Sequence, residues 1–251
     1  MLLLGPYYDG LSERIKDVFR EMTAIKPWMT YTAAALIAAT MAPSISNAAV
    51  KPEGMKVSIQ LAPVAAVRQQ VLTQSAVQFT NEMRRLWIEH IGWTGLYIIS
   101  ALDGLEDQQQ VLARLLRNQQ DIGNLFKPYY GDAAGNQLTT LLQQHIMLAG
   151  KVIDAAKAGN SADLNQYNAQ WHKNADDIAR FLVAANPNWG AKWLQDMLYT
   201  HLKLITDQVV ARLKKDWEGN IHAIDQNEVH MLQFADVLSD GIIKQFPKQF
   251  Q

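Results

Sequence analysis

The sequence predicts an all-α fold, a bundle of about six antiparallel helices built from three diverged helical hairpins. Three observations predict it. From Val64 onward apolar residues recur at helical spacing, with no strand-like alternation. The breaks between periodic stretches are short and carry Gly, Pro, Asn and Asp. One stretch also recurs. HIGWTGLYIISALDG from His90 is echoed by HIMLAGKVIDAAKAG from His145 and more loosely by HLKLITDQVVARL from His201. Its partner RNQQDIG, from Arg117, is echoed by KNADDIA from Lys173 and loosely by the segment ending in FADVL, near Asp236. Repeats of roughly 50 residues joined by short connections imply antiparallel neighbours.

The helices follow in order. The first runs from about Val64 to Leu102, with a bend expected near Gly92 or Gly95, and Asp103-Gly104 ends it. The second covers about Glu106 to Phe126 and is expected to stop before Pro128, because the residue ahead of a proline avoids helical geometry. Tyr129-Tyr130-Gly131 then reads as a turn. The third spans about Ala133 to Ala158 and closes at Gly159. Ser161 reads as the N-cap of the fourth, with Asp163 complementing the helix dipole, and Asn186-Pro187 ends it. The fifth runs from about Gly190 to Trp217. The sixth begins after Gly219, is interrupted near Asp225 to Asn227, and reaches about Gln245 before Pro247.

Ahead of this domain, residues 1–48 read as an upstream extension plus an export signal. Lys26 supplies a positive start, an apolar run extends from about Met29 to Ala42, and Pro43 breaks it. Ser46-Asn47-Ala48 offers the small residues that signal peptidase accepts, which places cleavage after Ala48. The run is short for a spanning helix, which needs about 20 apolar residues, so a cleaved signal is the first reading and an uncleaved anchor the alternative. Residues 1–21 carry Asp9, Glu13, Asp17 and Glu21 where a signal wants positive charge, so Met22 reads as the true start. Residues 49–63 form a linker with two prolines, and 64–251 form the helical domain.

Composition narrows the function classes. Of 251 residues, 49% are hydrophobic, enough for a sizeable core, and the formal net charge is −1. Near-neutrality without a long basic run gives no electrostatic support for nucleic acid or for strong membrane binding of the mature domain. No cysteine is present, which excludes disulfides, thiolate metal sites and a cysteine nucleophile. No G-x-S-x-G elbow occurs, and Ser100 and Ser239 show no sign of activation.

The polar residues that interrupt the apolar stripes carry the chemical lead. His90, His145 and His201 each stand alone on an otherwise apolar helix face, which predicts burial. A buried imidazole needs a partner, since leaving it unpaired costs on the order of 1–3 kcal/mol. Asn118 and Asp121, three apart, are placed to supply one, as are Asn174 and Asp177; Gln233 and Asp236 take those places in the third copy. The structural reading pairs each histidine with an aspartate or asparagine and so fixes hairpin packing. The site reading brings His90, His145, His201, Asp121, Asp177 and Asp236 around a divalent transition metal, with Asn118 and Asn174 behind them. Nitrogen and oxygen ligands without sulfur suit zinc, iron, manganese or copper(II). The Glu-x-x-His signature of di-iron bundles is absent.

Other features carry less. Glu218, His222 and Asp225 share a polar helix face, either solvated or gripping a divalent ion. His172 and His230 sit in polar surroundings beside the Asn/Asp motifs. Trp87, Trp93, Trp171, Trp189 and Trp193 read mostly as core.

The phrases WIEHIGWT, LLRNQQDIG, HIMLAG, NADDIARFL with NPNW, MLYTHLKLIT and FADVLSDGIIKQFP resemble those of a family of exported all-helical bacterial proteins, mostly from spore-forming lineages. The resemblance covers about Arg84 to Phe250. Members often carry the labels glycosyltransferase or acetylglutamate kinase; no glycine-rich loop follows a strand here, so the residues support neither. The family pattern has an arginine after WT, where this chain has Gly95. The resemblance implies an exported helical domain. Together these readings imply an exported cell-envelope helical-bundle protein with a binding or structural role and a small ligand, metal or protein as partner. The alternative is a metal-dependent enzyme using the same His/Asp set.

Overall fold

A computed structural model describes residues 73–251. The expected signal, cleavage point, linker and first residues of the helical domain lie outside the described residues. The described chain is all-helical, with no strand. Five helices account for it: α1 Gln74–Asp103, α2 Gln108–Ala158, α3 Ser161–Ala185, α4 Ala191–Leu213 and α5 Trp217–Gln245. A short 3₁₀ turn, Pro247–Phe250, follows.

Local chemistry sets the boundaries. The Thr73 hydroxyl accepts from the Ala76 N–H and caps α1, which ends at Gly104 with φ 69°. The bend expected near Gly92 or Gly95 is absent, because α1 is one continuous helix. The cap of α3 is Asn160, one residue before the expected Ser161, with its side chain accepting from the Asp163 N–H. Helix α4 stops at Leu213, four residues short of expectation, and Lys215 turns the chain at φ 59°. Asp216 then caps α5 through the Gly219 N–H, so Trp217 opens α5 and does not close α4. The break expected near Asp225 is also absent.

Helix α2 departs most from expectation. It passes through Pro128 and breaks at Gly131, whose φ of 84° and ψ of 165° are non-helical. Tertiary contacts hold the turn that Pro128 was expected to end. Tyr129 stacks on Phe250 with centroids 5.4 Å apart, and the Tyr130 hydroxyl donates to Gln245 at 2.8 Å. Beyond Gly131 the second arm folds back on the first. The Gln143 amide donates to the Leu116 carbonyl at 3.3 Å, although the two are 27 residues apart.

The return is possible because glycines face each other. A Cβ on Gly123 would stand 2.6 Å from the Gly135 carbonyl oxygen, and one on Gly135 would stand 2.7 Å from that of Gly123. Around this fold-back, α1 packs on α2 and α5, α2 on α3, α3 on α4, and α4 on α5. One contiguous core results, with Met83, Leu86, Ile98, Phe126, Trp171 and Phe234 fully buried.

Gly123→Ala should destabilise the protein by about 1–3 kcal/mol, the cost of overpacking a tight contact. Gly92→Ala is the control. Gly92 is helical with nothing within 4 Å of the added carbon, so that change should stabilise by up to about 1 kcal/mol. Urea unfolding monitored by circular dichroism reads both.

Candidate functional site

The three histidines singled out by the sequence meet inside the bundle. His90 on α1, His145 on the second arm of α2 and His201 on α4 are 3%, 5% and 3% exposed. The His90 and His201 Nε2 atoms lie 3.5 Å apart, and the His145 and His201 rings stack with centroids 6.2 Å apart.

Each ring is clasped by a neutral group from a neighbouring helix. His145 Nδ1 lies 2.7 Å from the Asn174 side-chain oxygen, and His201 Nδ1 lies 2.8 Å from that of Asn227. Both Nδ1 atoms therefore carry the proton and donate. The Trp171 indole N–H donates to His145 Nε2 at 3.1 Å. His90 differs: Gln119 Nε2 faces its Nδ1 at 3.2 Å, so that nitrogen accepts. His90 Nε2 then carries the proton and donates to His201 Nε2. Each of the six ring nitrogens thus faces a neutral polar partner, with the two hydrogens of the Gln119 amide shared among His90 Nδ1, the Leu115 carbonyl at 3.0 Å and the Asn118 side-chain oxygen at 2.9 Å.

A second bond recurs beside each clasp. The carbonyl four residues before each histidine is unusually well served. Leu86 accepts from Asn118 at 3.0 Å, Leu141 from Asn174 at 3.1 Å, and Met197 lies 2.8 Å from His230 Nε2. Around His145, Asn174 holds both the carbonyl and the imidazole. Around His90, Asn118 and Gln119 divide the task, and the Gln119 amide also donates to Asn118. Around His201, His230 and Asn227 divide it.

Asn227 and His230 therefore stand where Gln233 and Asp236 were expected as the partners around His201. His230 follows His201 by the same 29 residues that separate Asn174 from His145. That spacing was the available signal. Gln119, Trp171 and Asn227 were not foreseen as partners.

The aspartates do not join the histidines. Asp177 pairs with Lys173 at 3.0 Å and Arg180 at 2.6 Å, and Asp236 pairs with Arg84. The hydrogen bond from Lys173, aided by Arg180, holds the Asp177 carboxyl below its ordinary range. Asp121 is half-buried and makes no bond to any of the three rings. On a helix, a residue three positions on is rotated by about 60°. When the asparagine points inward, the aspartate turns to the helix flank, where cations reach it. Among the described residues no group of three or more His, Cys, Asp or Glu side chains is arranged to hold a metal ion. Glu218, His222 and Asp225 are all exposed. Trp87, Trp171 and Trp189 are core residues, as expected.

Burial governs the electrostatics. Desolvation, with repulsion from His145, pushes His90 down to about 3. Desolvation pushes His145 down to about 4, against the opposing bond to Asn174. His201 is lowered well below its ordinary value by desolvation and then by His90 and His145. The centre is therefore neutral at pH 7. It can accept and donate hydrogen bonds, and among the described residues no carboxylate bonds any of the three rings.

Substituting His145 by Leu should destabilise by about 1–3 kcal/mol, because Asn174 and Trp171 lose their partner in a buried setting. In the double variant His145→Leu/Asn174→Leu the penalties should fall short of additive, by about 0.5–3 kcal/mol in a double-mutant cycle. Exposed side chains would instead give additive, near-zero effects.

Stability should also fall with acidity. Imidazoles in the unfolded chain take up protons below about pH 6.5, while the buried rings resist until about 4 for His145 and about 3 for His90. The unfolded state thus binds more protons in that window. The contribution is complete above pH 6.5 and is lost as pH falls, at up to about 1.4 kcal/mol per pH unit for each ring. Urea midpoints at pH 7.5, 6 and 5 should decline progressively; a flat profile would mean that the rings reach solvent.

No family model matches the chain, and neither a curated protein nor a solved structure matches it significantly.

Proposed function

We propose that the protein is an exported helical module of the cell envelope or its surroundings, acting by binding or structural support. In this reading its bundle consists of three diverged hairpins, each registered by one histidine–amide clasp. The observation that carries it is the pairing of all six ring nitrogens with neutral groups. A catalytic imidazole needs a free nitrogen facing substrate and a group to accept or supply its proton. Here each nitrogen is engaged inside the core. The recurring separations of 32, 33 and 33 residues between each carbonyl and its donor support the three-hairpin reading.

Export rests on the layout of residues 22–48 and on the resemblance over Arg84 to Phe250. Among the described residues no helix is long and apolar enough to cross a membrane. The competing reading is a metal-dependent enzyme on the His/Asp set. Convergence of the three imidazoles favours it, and the outward ion pairs of Asp177 and Asp236 count against it.

Intact-mass measurement of the protein from culture medium and envelope fractions tests export. The expected species begins at Ala49. Full-length protein confined to the cytoplasmic fraction would overturn the reading.

A further inference from the structure

Five of the chain's six histidines lie in one neighbourhood. His90, His145 and His201 form the buried centre, and two half-buried rings stand behind it. His172 on α3 is close enough to repel a charged His145, and His230 on α5 is close enough to repel a charged His201. His201 thus faces an imidazole from each of α1, α2 and α5. Among the described residues no carboxylate bonds a ring of the centre. Asp176, which α3 extends toward α4, is held by Gln195 and Tyr199, and Asp236 on α5 is paired with Arg84 on α1.

The bonds of the centre leave no bare nitrogen for an added proton. In each neutral ring the nitrogen that could take one already accepts an N–H. For His145 the donor is Trp171, for His90 it is Gln119, and for His201 it is His90. A proton on His201 Nε2 sets two N–H groups face to face across 3.5 Å. Moving the His90 proton to Nδ1 relieves that contact only by setting it against the Gln119 amide. A turn of that amide offers Oε1, which has no partner, but takes its N–H groups from the Leu115 carbonyl and the Asn118 oxygen. By every route a cation is left among imidazoles with no anion bonded to it, a costly state in an apolar interior.

We propose that the His90–His201 contact is an acid-operated latch, which holds α1 against α4 while neutral and releases it when the rings take up protons. It goes beyond the packing role above and rests on the same neutral, clasped centre. Release is cooperative. The first proton breaks the bond that orients the second ring, and separation admits water to both. The open state binds more protons than the closed one, so falling pH favours it. Clustered histidines are the side chains suited to such a response.

The test titrates the untagged full chain from pH 7.5 to about 3, with circular dichroism and histidine nitrogen-15 spectra recorded on the same samples. A reversible loss of near-ultraviolet signal with uptake of about two or more protons is expected, most of the helix being retained. His90 and His201 should become charged over that same span. His201→Gln keeps a donor and an acceptor but takes up no proton, so the uptake should fall by about one. His222→Gln, at an exposed histidine outside the cluster, should leave the uptake unchanged. If the His201 variant does not fold, the spectra of the unaltered chain decide. The latch is overturned if both rings are still neutral once the transition is complete, if they become charged without loss of the near-ultraviolet signal, or if the uptake is unchanged in a folded His201→Gln. The acid response would then belong to the surface carboxylates. The clasped-bundle and export readings would survive that result, because they depend on the His145–Asn174 coupling and on the mature N-terminus.

Discussion

A neutral imidazole brought into an apolar interior carries one donor and one acceptor, and both must be met without water. Three such rings sit within contact distance at the middle of this bundle, so six ring nitrogens must find partners at one depth. That requirement ties residues far apart in sequence. Asn174 can bond His145 only if the second arm of α2 and helix α3 stand in one register. Asn227 imposes the same on α4 and α5. A one-turn slip of either pair moves an amide about 5.4 Å along the axis and strands both groups. Apolar packing of Leu, Ile and Val is tolerant of sliding; the clasps are not.

The same constraint explains why amides do the work that carboxylates might have done. A carboxylate at hydrogen-bond distance would favour the charged imidazolium, and the pair would carry a heavy desolvation cost. With three rings in contact, charging one would also repel the others. Asparagine and glutamine supply an acceptor for an Nδ1–H, or a donor for a bare Nδ1, and add no charge. The low values reached by His90 and His145 are the electrostatic face of that choice.

Much of this was legible in the sequence. A histidine alone on an apolar stripe must be buried, and His90, His145 and His201 are. Asn174 was foreseen as a partner of His145 because repeat spacing places it there. The aspartates misled for a local reason. The Asn-x-x-Asp spacing puts both residues on neighbouring faces, and spacing alone does not say which of them points inward. Lys173, Arg180 and Arg84 settle it by drawing Asp177 and Asp236 outward. Around His201 the partners escaped because the ring bond comes from Asn227, outside the expected spacing, and the carbonyl bond comes from His230, which a search for an amide–carboxylate pair passes over. The turn at Gly131 was placed correctly, but the helix end before Pro128 was not. Proline biases the residue before it, and the contacts of Tyr129 and Tyr130 outweigh that bias.

The clasp is not built alike around the three rings. Around His145 one asparagine makes both bonds, and the Trp171 indole N–H closes the remaining nitrogen. That ring is fully engaged within its own pair of helices. Around His90 and His201 the clasp is split between two side chains, and one ring nitrogen of each bonds its counterpart. His90 and His201 therefore join α1 to α4, where His145 joins only α2 to α3. The facing Nε2 atoms of His90 and His201 thus fix α1 against α4, as the asparagine bonds fix α2 against α3 and α4 against α5.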